Sequence, residues 1–104
     1  MSRYIVVTTL CNKLDVAQNI ADALLNKRLV AGSQIESVHS KYWWNRELEE
    51  CEEYKLEFRT KESLLKEVEE EIKKVHDYEV AEISYYEIKS ENMDFLNWIE
   101  KNTK

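Results

Sequence analysis

Apolar positions in this chain fall in blocks that switch between period two and period 3.6. Tyr4-Ile-Val-Val-Thr-Thr-Leu10 is β-rich and apolar on both faces, as in a central strand. Val16, Ala17, Ile20, Ala21, Leu24 and Leu25 then recur at helical spacing. Asn12 is the predicted cap of this helix, Asp15 lies in its first turn, and Lys27 and Arg28 stand near its end, where positive charge suits the dipole. A second strand region begins at Leu29 and extends through Val38, Tyr42 and Trp44. A turn at Asn45-Arg46-Glu47 leads into a third strand, in which Tyr54, Leu56 and Phe58 face one way and Lys55, Glu57 and Arg59 the other.

Thr60 is the predicted cap of a second helix over residues 61–75, with Leu64, Leu65, Val68, Ile72 and Val75 forming its apolar stripe. A junction at 76–79 precedes a fourth strand from Val80 to Ile88. A short helix starting near Asn92 carries Phe95, Leu96, Trp98 and Ile99. The order β-α-β-β-α-β-α predicts an α+β, ferredoxin-like βαββαβ domain over residues 1–104, with an added C-terminal helix and a long hairpin between the second and third strands. Right-handed crossovers would place both long helices on one sheet face and leave the other bare.

Composition sharpens this picture. The chain has 104 residues, enough for one domain with a modest core. It has no proline and one glycine, Gly32, so elements should be long and tight turns few. Eleven aromatics are more than one small core readily hides. Tyr42, Trp43 and Trp44 are consecutive, so one set can fill the core while the other needs a different cover; self-association is the simplest. The net charge of −6 argues against nucleic acid, which demands clustered Lys and Arg. No apolar run approaches the roughly 20 residues needed to cross a bilayer. Residues 1–7 lack a signal peptide's apolar core, so a cytoplasmic location is expected, with Cys11 and Cys51 as free thiols.

The junction His76-Asp-Tyr-Glu-Val-Ala-Glu-Ile83 is the first place to look for a site, because side chains converge where helix gives way to strand. His76 could serve simply as a charged end to its helix, or join Tyr78, Glu79 and Glu82 in binding a divalent metal. Glu49, Cys51 and Glu53 share one face of the third strand, either as metal ligands or as a solvated, edge-protecting charge run. Cys11 sits at a strand-to-helix turn, where the helix N-terminus would lower its pKa, unless it is a buried inert thiol. His39, in mid-strand, reads as a packed or surface histidine. No nucleophile elbow, phosphate loop or dinucleotide fingerprint is present, and hydrolysis would require Cys11 or Cys51 beside a histidine.

Several ordered motifs resemble those of the CutA proteins, the divalent-cation tolerance family. Residues 75–83 resemble its HPYEVPEI motif, and Tyr42-Trp-Trp44 with Leu48-Glu-Glu50 and Glu53 resembles its YxW…IEEDxE hairpin. Ile20-Ala21 with Leu29-Val-Ala31 resembles its IAxxLxxxxLAAC helix exit, and Phe95-Leu-Asn-Trp98 its terminal YLxW. The resemblance implies a tight homotrimer of ferredoxin-like subunits with hairpins pairing between subunits, and no enzymatic reaction. It also implies an inter-subunit polar pocket built from His76, Tyr78, Glu79, Tyr42, Trp44 and Glu53. The family is linked to tolerance of copper and other divalent metals, for which His76, Cys11 and Glu79 are the candidate ligands. Its fold is similar to that of PII signalling trimers; binding of a small anion or metabolite in the same pocket, which Glu82 also borders, would make Arg59 and nearby Lys residues matter more than Glu79. The chain departs from the family's pattern at Gly32, where the AAC cysteine stands, at Cys51 for an aspartate, at Asp77 and Ala81 for two prolines, and at Arg46 for the hairpin glycine.

Overall fold

A computed structural model describes residues 3–104. Four strands, β1 (Tyr4–Cys11), β2 (Gly32–Trp44), β3 (Glu47–Lys61) and β4 (Ile83–Ile88), form an antiparallel sheet in the order β2-β3-β1-β4. Three α-helices connect or follow them: α1 (Leu14–Asn26), α2 (Leu65–Val75) and α3 (Met93–Lys101), with one turn of 3-10 helix at Glu62–Leu64. This is the predicted order of elements, and the strand order is that of a split βαβ fold.

The period-two and period-3.6 stripes meet where they should. Ile5 and Val7 of β1 and Leu56 and Phe58 of β3 project from one sheet face onto Ile20 and Leu24 of α1 and Val68 and Ile72 of α2, all essentially inaccessible to water. Each such side chain contributes about 1.5–3 kcal/mol by leaving water. Lys55, Glu57 and Arg59 point the opposite way, as alternation requires.

That second face is not bare, contrary to expectation. Helix α3 lies across one end of it. Ile99 is fully buried, Glu100 accepts hydrogen bonds from Tyr4 and Lys61, and the Trp98 indole sits over Gly32. A Cβ on Gly32 would stand 2.9 Å from the Trp98 ring, so the missing side chain is what lets the helix settle there.

Element ends depart from the sequence reading for identifiable reasons. α1 starts at Leu14 after Lys13, without a side-chain cap, and Asn12 lies outside it. It stops at Asn26 because Arg28 takes a left-handed conformation (φ 55°) that lets the Leu29 N–H bond to the Leu24 carbonyl. Leu29 and Val30 are then buried in the connection, and β2 begins only at Gly32. Thr60 caps nothing; it is the penultimate residue of β3, and its hydroxyl donates to the Leu29 carbonyl at 2.5 Å. Asn92 does cap α3, accepting from the Asp94 N–H.

The β2–β3 hairpin closes through Asn45 and Arg46, both at positive φ, the two-residue turn whose twist suits a ribbon. Pairing between β1 and β3 ends at Cys11 opposite Tyr54, whereas β2 and β3 continue for seven further rungs, from Val38–Glu53 to Trp44–Glu47. This overhang accounts for the molecule's 45 Å long axis. Tyr42, Trp43 and Trp44 all lie on it, 39%, 72% and 41% exposed, so neither aromatic set fills the core of its own subunit.

Candidate functional site

The fourth strand starts at Ile83 rather than Val80, because residues 76–82 form an irregular segment that turns back over the end of β1. Three contacts hold it there. The His76 side chain is 1% exposed, and its Nδ1 accepts a hydrogen bond from the Tyr78 N–H at 3.1 Å. Nε2 therefore carries the ring proton and donates to the Leu10 carbonyl at 2.6 Å, in the neutral tautomer. Farther along, the Thr9 hydroxyl donates to the Glu82 carbonyl. Between these points the Tyr78 hydroxyl reaches across to Glu53 Oε2 on β3 at 2.6 Å. Glu53 is 3% exposed, so this phenol is the donor that compensates a carboxylate taken out of water. Burial, and then the Glu53 charge, push the Tyr78 phenol far above its ordinary value.

Between this segment and the overhanging hairpin lies a cleft of about 680 Å³. Tyr42, Trp44 and Glu53 form its hairpin side, and Tyr78, Glu79 and Glu82 its other side. The cleft thus brings together six of the residues singled out from sequence. Asp77, His39, Ser40 and Lys41 also front it. Ser40 was recoverable from its alternation with Tyr42. His39 is a surface histidine, as expected, and Glu52 holds its Nδ1 at 2.6 Å while Glu50 lies 3.5 Å from Nε2. The Tyr42 hydroxyl lies 3.7 Å from Cys51 Sγ, and this contact, with burial and the neighbouring Glu53 and Glu49, pushes its phenol up to about 12.

The remaining candidates stand apart. His76 is behind the cleft wall with both ring nitrogens engaged. Arg59 is on the second sheet face, bonded to Gln34 and level with Gly32. Cys11 is completely buried, its thiol directed at the Lys13 carbonyl. Burial raises its pKa, which fits the buried thiol rather than the activated one. Among the described residues no three His, Cys, Asp or Glu converge closely enough to hold a metal ion. Within one chain, then, His76, Cys11 and Glu79 do not converge on one point. Nor, among the described residues, does either thiol hydrogen-bond a histidine, the pairing that hydrolytic chemistry would need.

The family model of the CutA1 divalent ion tolerance proteins matches residues 5–102, nearly the whole chain. The chain belongs to the CutA1 family. The divalent-cation tolerance protein CutA of Pyrococcus horikoshii is 32% identical over 100 residues, covering 96% of this chain and 98% of that protein. A crystal structure of CutA1 from Oryza sativa superposes with a TM-score of 0.93 at 29% identity, covering 98% of this chain and 94% of that one. The structure described as the periplasmic divalent cation tolerance protein CutA from Archaeoglobus fulgidus gives a TM-score of 0.89 at 30% identity, with both chains covered completely. The family is named for tolerance of divalent ions rather than for a reaction.

Proposed function

We propose that this chain acts in divalent-cation tolerance as a homotrimer, without catalysing a reaction, and that it binds its ligand in the cleft beneath the hairpin. The observation that carries the assembly is the overhang. Trp43 and its cross-strand partner Leu48 are 72% and 62% exposed on one face of the ribbon, with Tyr42 and Trp44 on the other. A two-stranded ribbon standing alone in water is marginal, so a neighbouring copy is the natural cover for the face of Trp43 and Leu48, while Tyr42 and Trp44 face the cleft. Family membership supports the tolerance role. Free Cys11 and Cys51 favour a reducing, cytoplasmic setting, against the periplasmic description of the Archaeoglobus relative.

Sedimentation at micromolar concentration is the test of assembly. A stable trimer that Trp43→Ser with Leu48→Ser weakens supports the reading, and a stable wild-type monomer overturns it. For the metal, copper is the proposed ion, with His76, Cys11 and Glu79 as its ligands only if His76 is released from Leu10. Copper titration of wild type and His76→Ala tests this, and unchanged binding removes His76. A second reading, a PII-like trimer that binds a small metabolite, is favoured by the size of the cleft, which lies in the range of small-molecule sites.

A further inference from the structure

The charges around the cleft are unevenly answered. Its two basic lining groups are occupied by acids outside it, Lys41 by Glu50 at 3.3 Å and His39 by Glu52 and Glu50. Of its acids, Asp77 lies 3.7 Å from Lys13. The other three have no cationic partner among the described residues. Glu53 is buried and accepts only from Tyr78, Glu82 accepts from Ser84, and Glu79 makes no hydrogen bond or ion pair. A bound anion would face this uncompensated charge. A bare metal ion would need several donors within about 2–2.6 Å, which do not converge here, and would leave most of the cavity unfilled. The rest of the lining is aromatic and apolar: Tyr42, Trp44, Tyr78, Val80 and Leu10. Electron-rich rings beside desolvated carboxylate are the surroundings that favour an organic ammonium, whose charge meets carboxylate and ring faces while its carbon chain covers apolar wall.

We propose that the cleft binds an ammonium-bearing organic cation of the linear oligoamine type, with Glu53 as the deep anchor, Glu79 at the rim, and Tyr42, Trp44 and Tyr78 as walls. The inference rests on the reading of this cleft as the ligand site of the assembled protein. It replaces neither the trimer nor a metal bound elsewhere.

Calorimetry of the full chain at fixed ionic strength tests it, with spermidine as probe and magnesium chloride and inorganic phosphate as comparisons. Spermidine should bind and phosphate should not. Glu79→Gln, at an exposed position where folding is not at stake, should weaken spermidine roughly tenfold, the equivalent of one charge-assisted hydrogen bond. Glu53→Gln and Trp44→Leu should do the same in protein whose circular dichroism is unchanged. Glu91→Gln, exposed and outside the cleft, should have no effect. Absence of spermidine binding, stronger binding of phosphate or magnesium, or equal affinity in all variants, which would mark diffuse attraction to an acidic protein, each overturns the inference. If the amine fails while trimer and copper response persist, only this inference falls; a wild-type monomer sinks the assembly reading instead.

Discussion

Replacing Tyr78 by phenylalanine removes one oxygen and isolates the Glu53 carboxylate. The ring itself can stay where it is, 4.8 Å from the His76 ring, so packing is little changed. What is lost is a 2.6 Å hydrogen bond to a carboxylate that is only 3% exposed. Hydrogen bonds to charged groups are worth about 1.5–3 kcal/mol, and leaving the acceptor buried without its donor places the loss in that range, about 2 kcal/mol. For a domain of this size that is a fall of roughly 8–16 °C in melting temperature. Thermal unfolding followed by tryptophan fluorescence, at fixed protomer concentration because assembly shifts apparent stability, measures it. Pairing Tyr78→Phe with Glu53→Gln should give a double variant less damaged than the sum of the singles, as residues in direct contact do. The same experiment has an alkaline arm. Because the folded-state phenol is raised, its contribution is present below the unfolded value of about 10 and is lost as pH rises above it; the unfolded chain ionises first. The gap between wild type and Tyr78→Phe should therefore narrow above about pH 10. A variant within about 0.5 kcal/mol of wild type at neutral pH would show that Glu53 needs no donor from the 76–82 segment, and the account of how that segment is held would fail.

Other changes have equally definite outcomes. Gly32→Ala should displace the Trp98 indole and lower stability by about 1 kcal/mol, with near-ultraviolet circular dichroism reporting the moved ring and Trp98→Leu relieving part of the loss. Lys27 donates to both oxygens of Glu71, which is 8% exposed and whose carboxyl is held below its ordinary value by that contact. Lys27→Met should cost about 1 kcal/mol at neutral pH. Because a lowered carboxyl stabilises above its unfolded pKa and ceases to as pH falls through the folded one, urea titrations should show the difference disappearing in acid. The hydrogen bond to Glu52 raises the His39 pKa above 6.5. The hairpin amides should therefore be better protected, relative to their intrinsic exchange rates at each pH, at about pH 6 than at about pH 9, and His39→Gln should remove that difference in protection.

The fold was legible wherever a residue's environment depends on its near neighbours in sequence. Leu56 and Phe58 against Lys55 and Glu57, or Val68 and Ile72 on α2, declare their faces by spacing alone. The errors came from long-range contacts that override local propensity. Thr60 looks like a helix cap until the Leu29 carbonyl, 31 positions away, claims its hydroxyl. Val80 to Glu82 look like strand, but His76 is held by Leu10 and the segment is drawn off the sheet. The cleft was half visible. Tyr42, Trp44, Glu53 and Tyr78 were chosen by motif, but nothing local to His76 says that both its nitrogens are satisfied within the chain. For Cys11 the sequence left two readings open, and the structure favours the buried thiol. Its position at a strand end suggested the field of a helix, whereas burial, which no local pattern declares, pushes the thiol the other way.

The seven rungs of ribbon beyond β1 have a kinetic consequence. Core formation around α1, α2 and β1 is an affair of one chain and should be first-order. Closing the Asn45–Arg46 turn is fast, on the order of microseconds for a hairpin. The chain contains no proline, so the isomerisation that delays many refolding proteins by tens of seconds has no bond on which to act. Any slow phase in refolding is thereby assigned in advance. On the proposed assembly it should accelerate with protein concentration and be carried by the fluorescence of Trp43 and Trp44, because the step left after the body has folded would be for the ribbon to find another molecule.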